Sequence, residues 1–281
     1  MRTDLTFTGA GSTGGGEDPI VVTGAPRTGV RLLATILDGH PALASGPDLP
    51  FVATLVQQWR SIDSDLGANH SRHHGVPPDA SRAAFRAAAL KLVAPRLRRA
   101  CKQRFVLQSF TAAVLLEPFA ALFPNARFVF MIRDPRDVAR SLLECNWRGA
   151  RDGQLLPYTR DPAAAVRFSL DFMTLALQNA AALEAAGRLM MLRYEELCRD
   201  PFGTMTRLGA FLHEPAPLPC ILPDSSALVT ATLNNPHPPL RTGAVDSAST
   251  THRREAHAIP YAGPLDAAME QLRAKLGYCD E

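Results

Sequence analysis

The chain has 281 residues, 46% hydrophobic and 20% charged, which excludes a disordered polymer and suits one globular domain. A formal net charge of +3 is too small for a protein that coats nucleic acid and points instead to a local anion site. Five cysteines (Cys101, Cys145, Cys198, Cys220, Cys279) form no CxxC pair, which argues against a disulfide framework or zinc site and for free thiols in a reducing compartment.

Residues 1–18 are rich in Gly, Ser and Thr and lack an apolar signal region, so they read as a flexible lead-in to a single domain over 19–281. No apolar run approaches the roughly 20 residues that span a bilayer, so no transmembrane segment is expected and the protein is placed in the cytoplasm. PIVVT (19–23) predicts a short buried strand, and 29–38 a helix with Val30, Leu33, Ile36 and Leu37 on one face. A loop follows over 39–50, punctuated by Pro41, Pro47 and Pro50. Helices are predicted over 51–62 and 80–103, separated by the polar stretch GANHSRHHGVPPD. Phe105–Leu107 predicts a second strand, 111–122 a helix, and RFVFMI a third strand ending in Arg133-Asp134. Helices are predicted over 135–146, with Pro135 in its first turn, 162–186, 201–213 and 264–276; Leu189–Leu192 adds a strand, and 214–264 reads as loop. Strands alternating with helices predict a three-layer α/β fold with a central parallel sheet and helical insertions.

Two sites stand out. GAPRTGVR (24–31) is a glycine-bounded turn between strand and helix, which aims backbone N–H groups and the positive end of the helix at one point. It lacks the lysine and hydroxyl of a Walker A loop, whose places hold Val30 and Arg31, so it suits a phosphate ligand that needs no metal. Arg27 adds a fixed, forked cation. Taken alone, the same corner also suits glycines that serve only the turn. The second site is FVFMIRDPRDVARSLL: Arg133 stands at the carboxyl end of a strand and Ser141 about two helical turns further on. Asp134 stands where a Walker B aspartate would; Arg136, Asp137 and Arg140 read as a helix start with exposed ion pairs.

Together these stretches resemble the sulfotransferases that use 3′-phosphoadenosine-5′-phosphosulfate (PAPS). GAPRTGVRLLATILDGHP resembles their 5′-phosphosulfate loop, LFPNARFVFMIRDPRDVARSLL their 3′-phosphate motif, and LRYEELCRDPFGTMTRLGAFL a further segment; the terminal LGY is also typical. The spacing is nearest to the tyrosylprotein and heparan-type members. The resemblance implies a P-loop-like fold, PAPS as co-substrate with PAP as product, no metal, and sulfuryl transfer to a hydroxyl of a small-molecule, glycan or lipid acceptor. It implies that Arg27, Thr28 and the backbone of Gly29, Val30, Arg31 and Leu32 hold the 5′-phosphosulfate, with Arg27 also catalytic. Arg133 and Ser141 would hold the 3′-phosphate, Tyr194 would lie near the adenine, and Arg241 with Gly243 would close over the 3′-phosphate. The chain departs from the family at Val30-Arg31, where Thr-Thr is usual, and at Gln108, whose place a lysine takes in tyrosylprotein members.

Transfer also needs a base for the acceptor hydroxyl. Asp48 lies 21 residues beyond Arg27, resembling the tyrosylprotein spacing of a glutamate, and is the expected base; lying between Pro47 and Pro50 it also suits a turn. His70, His73 and His74 form a rival cluster, and His40 belongs to the His-Pro turn. Trp59, Trp147, Tyr158 and Phe51 are either acceptor pocket or core. The basic run RLRRACKQR (96–104) reads as a solvated face, with no nucleic-acid partner expected. Two further readings remain open: a degenerate relative that binds the nucleotide and transfers nothing, and a metal-dependent kinase, against which the missing lysine counts.

Overall fold

Five parallel strands form the spine of the molecule, a computed structural model that describes residues 18–63, 72–73, 75–149, 152–214 and 264–278. They are β1 (Ile20–Gly24), β2 (Leu43–Ser45), β3 (Arg104–Gln108), β4 (Arg127–Ile132) and β5 (Leu189–Arg193), in the order β2-β3-β1-β4-β5. β1 sits at the centre, with Val22 opposite Gln108 on one side and Gly24 opposite Met131 on the other. Its five residues are all buried, as expected of a parallel strand covered on both faces.

Period-two alternation sorts the strand side chains into two cores. Phe128, Phe130 and Ile132 of β4 join Val21, Phe105 and Leu107 on one face; Val129 and Met131 join Ile20, Val22, Val106 and Leu192 on the other. The first face is covered by α2 (Pro50–Ser61), α3 (Pro78–Ala100), α4 (Leu116–Leu122), α6 (Pro162–Ala185) and α9 (Pro264–Lys275). The second is covered by α1 (Val30–Asp38), α7 (Tyr194–Arg199) and α8 (Pro201–Leu212). The remaining helix, α5 (Pro135–Leu143), packs Val138 and Leu142 against Ala165 of α6. This is the predicted three-layer arrangement.

Three helices start by one local device. Asp134, Asp161 and Asp200 cap α5, α6 and α8, accepting from the backbone N–H of Arg136, Ala164 and Gly203, and each is followed by proline at the first helical position.

The structure departs from the expected elements where local signal is weakest. The predicted loop 39–50 contains β2, whose three residues are too few to show a period, yet they pair with Arg104, Phe105 and Val106. The helix predicted over 111–122 breaks at Leu115 into a 3-10 turn (Thr111–Val114) and α4. Helix α7 went unpredicted, and the helix predicted over 80–103 runs instead from Pro78 to Ala100, ending on Cys101 in a left-handed conformation (φ 54°).

Asp18, assigned to the lead-in, is instead buried: its carboxylate takes two bonds from Arg86 and one from the Asn125 amide (2.8 Å). The basic run 96–104 is not simply a solvated face. Arg96 donates to Ser45 O and to the Asp38 carboxylate, and buried Arg104 donates to Asp18 O and Leu212 O. Residues 1–17 of the lead-in and 215–263 of the predicted C-terminal loop lie outside the described residues. No helix among the described residues is long and apolar enough to cross a membrane.

Candidate nucleotide and transfer site

The loop after β1 is shaped by backbone geometry. Gly24 has φ 147°, and a Cβ there would sit on the Met131 carbonyl oxygen and 2.8 Å from Thr28 Oγ1. Thr28 is fully buried, and its hydroxyl donates to Ala25 O (2.7 Å), closing the turn from inside. Gly29 caps α1 at φ 97° with no side-chain hydrogen bond to the helix amides, so the first turn presents backbone N–H groups rather than a capping oxygen. A Cβ on Gly29 would lie 2.6 Å from the Tyr194 ring. Leu32 turns its side chain into the core, Val30 packs on the same cluster, and Arg31 is half-buried.

Arg27 stands out in this loop. It adopts φ 74°, a left-handed conformation costly for a residue with a side chain. Its Nε donates to Ser141 Oγ at 3.0 Å, and its carbonyl accepts from Arg133 Nη1 at 3.3 Å. The two predicted anion sites therefore touch. Arg133 is more than nine-tenths buried, its guanidinium lies over the Tyr194 ring at 4.4 Å, and its Nε has no hydrogen-bond partner among the described residues. A buried guanidinium N–H without a partner is costly, and a phosphate oxygen meets that need. Burial lowers the Arg27 pKa; Arg133 acts the same way, while Cys145 and Glu144 oppose it. Arginine remains cationic through such shifts.

Tyr194 is buried, and desolvation holds its phenol well above the ordinary range. Burial also pushes the neighbouring Cys198 thiol up to about 11, against the opposing hydrogen bond with Tyr194 and the Arg133 charge. Neither group ionises near neutral pH. Tyr194 acts as a flat wall: one edge meets Gly29, and the ring lies against Arg133.

Asp134 does not serve as a Walker B aspartate. Its carboxylate caps α5 and takes Arg273 Nε on both oxygens at 3.2 Å. Asp137 and Arg140 pair at 3.0 Å, but both side chains are largely buried rather than exposed as expected. Arg136 pairs with Glu270.

Asp48 follows β2, two strands away from β1 and hence about 10 Å across the same edge of the sheet. Its side chain is exposed. Partial desolvation of the carboxyl still raises it above the ordinary range, although the Leu49 amide and Ser109 act oppositely. The buried Ser109 hydroxyl lies close enough to oppose that shift but makes no full hydrogen bond among the described residues. Gln108 donates to Gly46 O, tying the Asp48 loop to β3.

Phe110, 41% exposed, follows Ser109 and starts a row of rings: Phe172 at 6.4 Å, Phe168 a further 5.7 Å away, Tyr158 stacked 4.3 Å beyond, and Trp147 edge-on at 6.5 Å. Trp147 and Tyr158 belong to this row, Trp59 is core, and Phe51 is exposed on the first turn of α2. The sequence reading named Trp147 and Tyr158 but missed Phe110, Phe168 and Phe172, for which the i, i+4 spacing of the last two is the signal.

His40 is buried and accepts the Ala42 amide on Nδ1 (3.1 Å), a turn role. His73 is exposed; His70, His74, Arg241 and Gly243 lie outside the described residues. No group of three or more His, Cys, Asp or Glu among the described residues could hold a metal ion.

Comparison with known proteins agrees with this geometry. The profile of the Sulfotransferase family matches residues 19–217. Protein-tyrosine sulfotransferase 1 of Danio rerio is 28% identical over 204 residues, covering 70% of this chain and 53% of that protein. The Homo sapiens protein of the same name is 31% identical over 134 residues, 44% of this chain and 33% of that one. The chain thus spans about half the length of the Danio rerio relative. Among solved structures, the sulfotransferase domain of the Synechococcus PCC 7002 olefin synthase superposes with a TM-score of 0.58 at 20% identity, over 94% of this chain and 97% of that one. The sulfotransferase domain from the curacin biosynthetic pathway gives 0.55 at 19% identity, over 93% and 98%. Those two likenesses establish the fold, and the profile match over most of the chain establishes that it belongs to the Sulfotransferase family.

Proposed function

We propose that the protein moves a sulfuryl group from PAPS to a hydroxyl on an aromatic or apolar acceptor. The observation that carries this reading is the contact between the two anion sites: Arg27 on Ser141, and Arg133 on the Arg27 carbonyl. Two cations held side by side at neighbouring strand tips suit one ligand with phosphates at both ends. Bound there, PAPS supplies an activated sulfuryl group that passes in line to the acceptor oxygen. Arg133 and Ser141 hold the 3′-phosphate, and the uncapped amides of α1 with Arg27 hold the 5′ end. Arg27 stabilises the charge that grows on the leaving phosphate oxygen as its bond to sulfur breaks. Asp48 takes the acceptor proton as the new oxygen–sulfur bond forms, and positioning supplies much of the rest. No step calls for a metal, since Val30 and Arg31 replace the residues that would serve one.

The ring row beginning at Phe110 beside Asp48 favours an acceptor with an aromatic body over the glycan or lipid also expected. A phenol, free or as a tyrosine side chain, fits both this surface and the names of the tyrosine-modifying relatives. A phenol's low pKa, about 10, also asks less of an aspartate base.

A thermal-shift titration with PAP and with ATP–Mg²⁺, followed by transfer assays on phenols, tyrosine peptides, sugars and sterols, tests the reading. PAP alone should stabilise the protein, and phenolic acceptors should be sulfated. Stabilisation by ATP–Mg²⁺ instead would sink it. PAP binding without any product would leave the nucleotide-binding relative that transfers nothing.

The base assignment has its own pH signature. A raised carboxyl must lose its proton to act, so activity should fall as pH drops through a value above the ordinary carboxylate range near 4. Asp48→Asn should cut kcat about 100-fold or more, abolish that acid limb and leave PAP affinity unchanged. An unchanged profile in the variant would move the base elsewhere.

A further inference from the structure

Arg133 and Tyr194 face the anion site, but three of their chain neighbours, Asp134, Arg193 and Glu195, meet the C-terminal segment. Asp134 takes the Arg273 guanidinium on both carboxylate oxygens, a pair 139 residues apart in sequence. Both side chains are buried: 6% of Arg273 and 9% of Asp134 remain exposed. The Asp134 amide donates to Glu195 Oε1 at 3.0 Å, and the other oxygen of Glu195 accepts from the Tyr278 hydroxyl at 2.7 Å. Arg193 lies over the Tyr278 ring at 4.6 Å and donates to Leu276 O. Residues 134, 193 and 195, which flank the two site residues, are thus fastened to α9 and its Leu276-Gly277-Tyr278 tail. Desolvation, with the Glu195 carboxylate beside it, pushes the Tyr278 phenol far above its ordinary range, so it stays a donor to Glu195 at any working pH.

Glu195 joins the two tips directly, its carboxylate on the β5 side accepting from the Asp134 amide on the β4 side. The stack of Arg133 on Tyr194 joins the same two tips on the opposite side of the chain. Setting that stack requires the two tips to hold a fixed separation, and α9 grips both. We infer that the C-terminal helix and its tail are a clamp that sets the Arg133–Tyr194 stack, with Arg273 and Tyr278 as positioning residues for the 3′-phosphate of the donor. This rests on the donor reading above.

The two ligands that separate this role from plain structural support are PAP and 5′-AMP, which lacks the 3′-phosphate. Calorimetric titration of the full chain should show Tyr278→Phe and Arg273→Ala weakening PAP binding by roughly 5- to 30-fold, with 5′-AMP affinity changed less than about twofold. The KM for PAPS should rise while the KM for the acceptor stays put, and Arg273→Lys should recover part of the loss. Removing one partner of a buried ion pair can unfold a protein, so Tyr278→Phe, which deletes a single hydroxyl, carries the test if Arg273→Ala does not fold. Equal losses for both nucleotides, unchanged PAP affinity in Tyr278→Phe, or a Tyr278→Phe chain that cannot fold would each overturn the clamp. Wild-type protein that fails to bind PAP at all would overturn the donor reading first and the clamp with it.

Discussion

Arg133→Ala is expected to weaken PAP binding by about 100-fold while leaving the protein folded. A charge-assisted bond to phosphate contributes roughly 1.5–3 kcal/mol, and a buried, forked guanidinium makes more than one. Arg133 reaches the site from under a nine-tenths cover of protein, so water screens it poorly. Its loss also removes the donor to the Arg27 carbonyl, freeing a loop already held in a left-handed turn. Thermal shift reads the effect directly: PAP should raise the midpoint of the wild type and not that of the variant. Arg133→Lys should restore little, because an ammonium cannot both lie flat on Tyr194 and fork to a phosphate. A variant that bound PAP like the wild type would remove Arg133 from the site.

Gly24→Ala should damage stability severely for so small a substitution, costing about 4 kcal/mol. Its φ of 147° is ill-suited to a side chain, a cost of about 1–3 kcal/mol. The added methyl would also strike the Met131 carbonyl, opposite it in the β1–β4 ladder, and forcing paired strands apart adds about 1–3 kcal/mol. With native stability of about 5–15 kcal/mol, that loss should lower the unfolding midpoint by about 10 °C. Gly46→Ala is the control: a Cβ there meets nothing within 4 Å, so its effect should stay within about 0.5 kcal/mol. Equal midpoints for the two variants would refute the argument.

Much of the framework of the two anion-site corners was legible because its signals are local. Strand, glycine turn and helix lie within residues 19–38, and Arg133 and Ser141 share one strand–helix corner. Pro135 marked the start of α5 for the same reason, and the predicted starts at 162 and 201 coincide with the observed ones. The strand Leu43–Ser45 was hidden because its pairing partner lies some 60 residues away and three residues carry no period. The exposed ion pair expected at Asp137 and Arg140 turned inward because α6 packs over α5, a tertiary fact no window reveals. Arg104 looked like surface charge until Asp18 and Leu212 brought carbonyls to it. The same holds for Arg273 and Tyr278, whose partners come from two other strand tips.

The sheet order also distributes stiffness unequally between the two halves of the site. The nucleotide loop and Arg133 spring from β1 and β4, strands paired on both sides, whereas Asp48 hangs from a three-residue strand at the margin. Amide protons of the inner strands should exchange only when the whole molecule opens, and those near Asp48 through cheaper, local excursions. On mild heating or in dilute urea, turnover should therefore fade while the nucleotide still binds, and the grip on the donor should outlive the ability to use it.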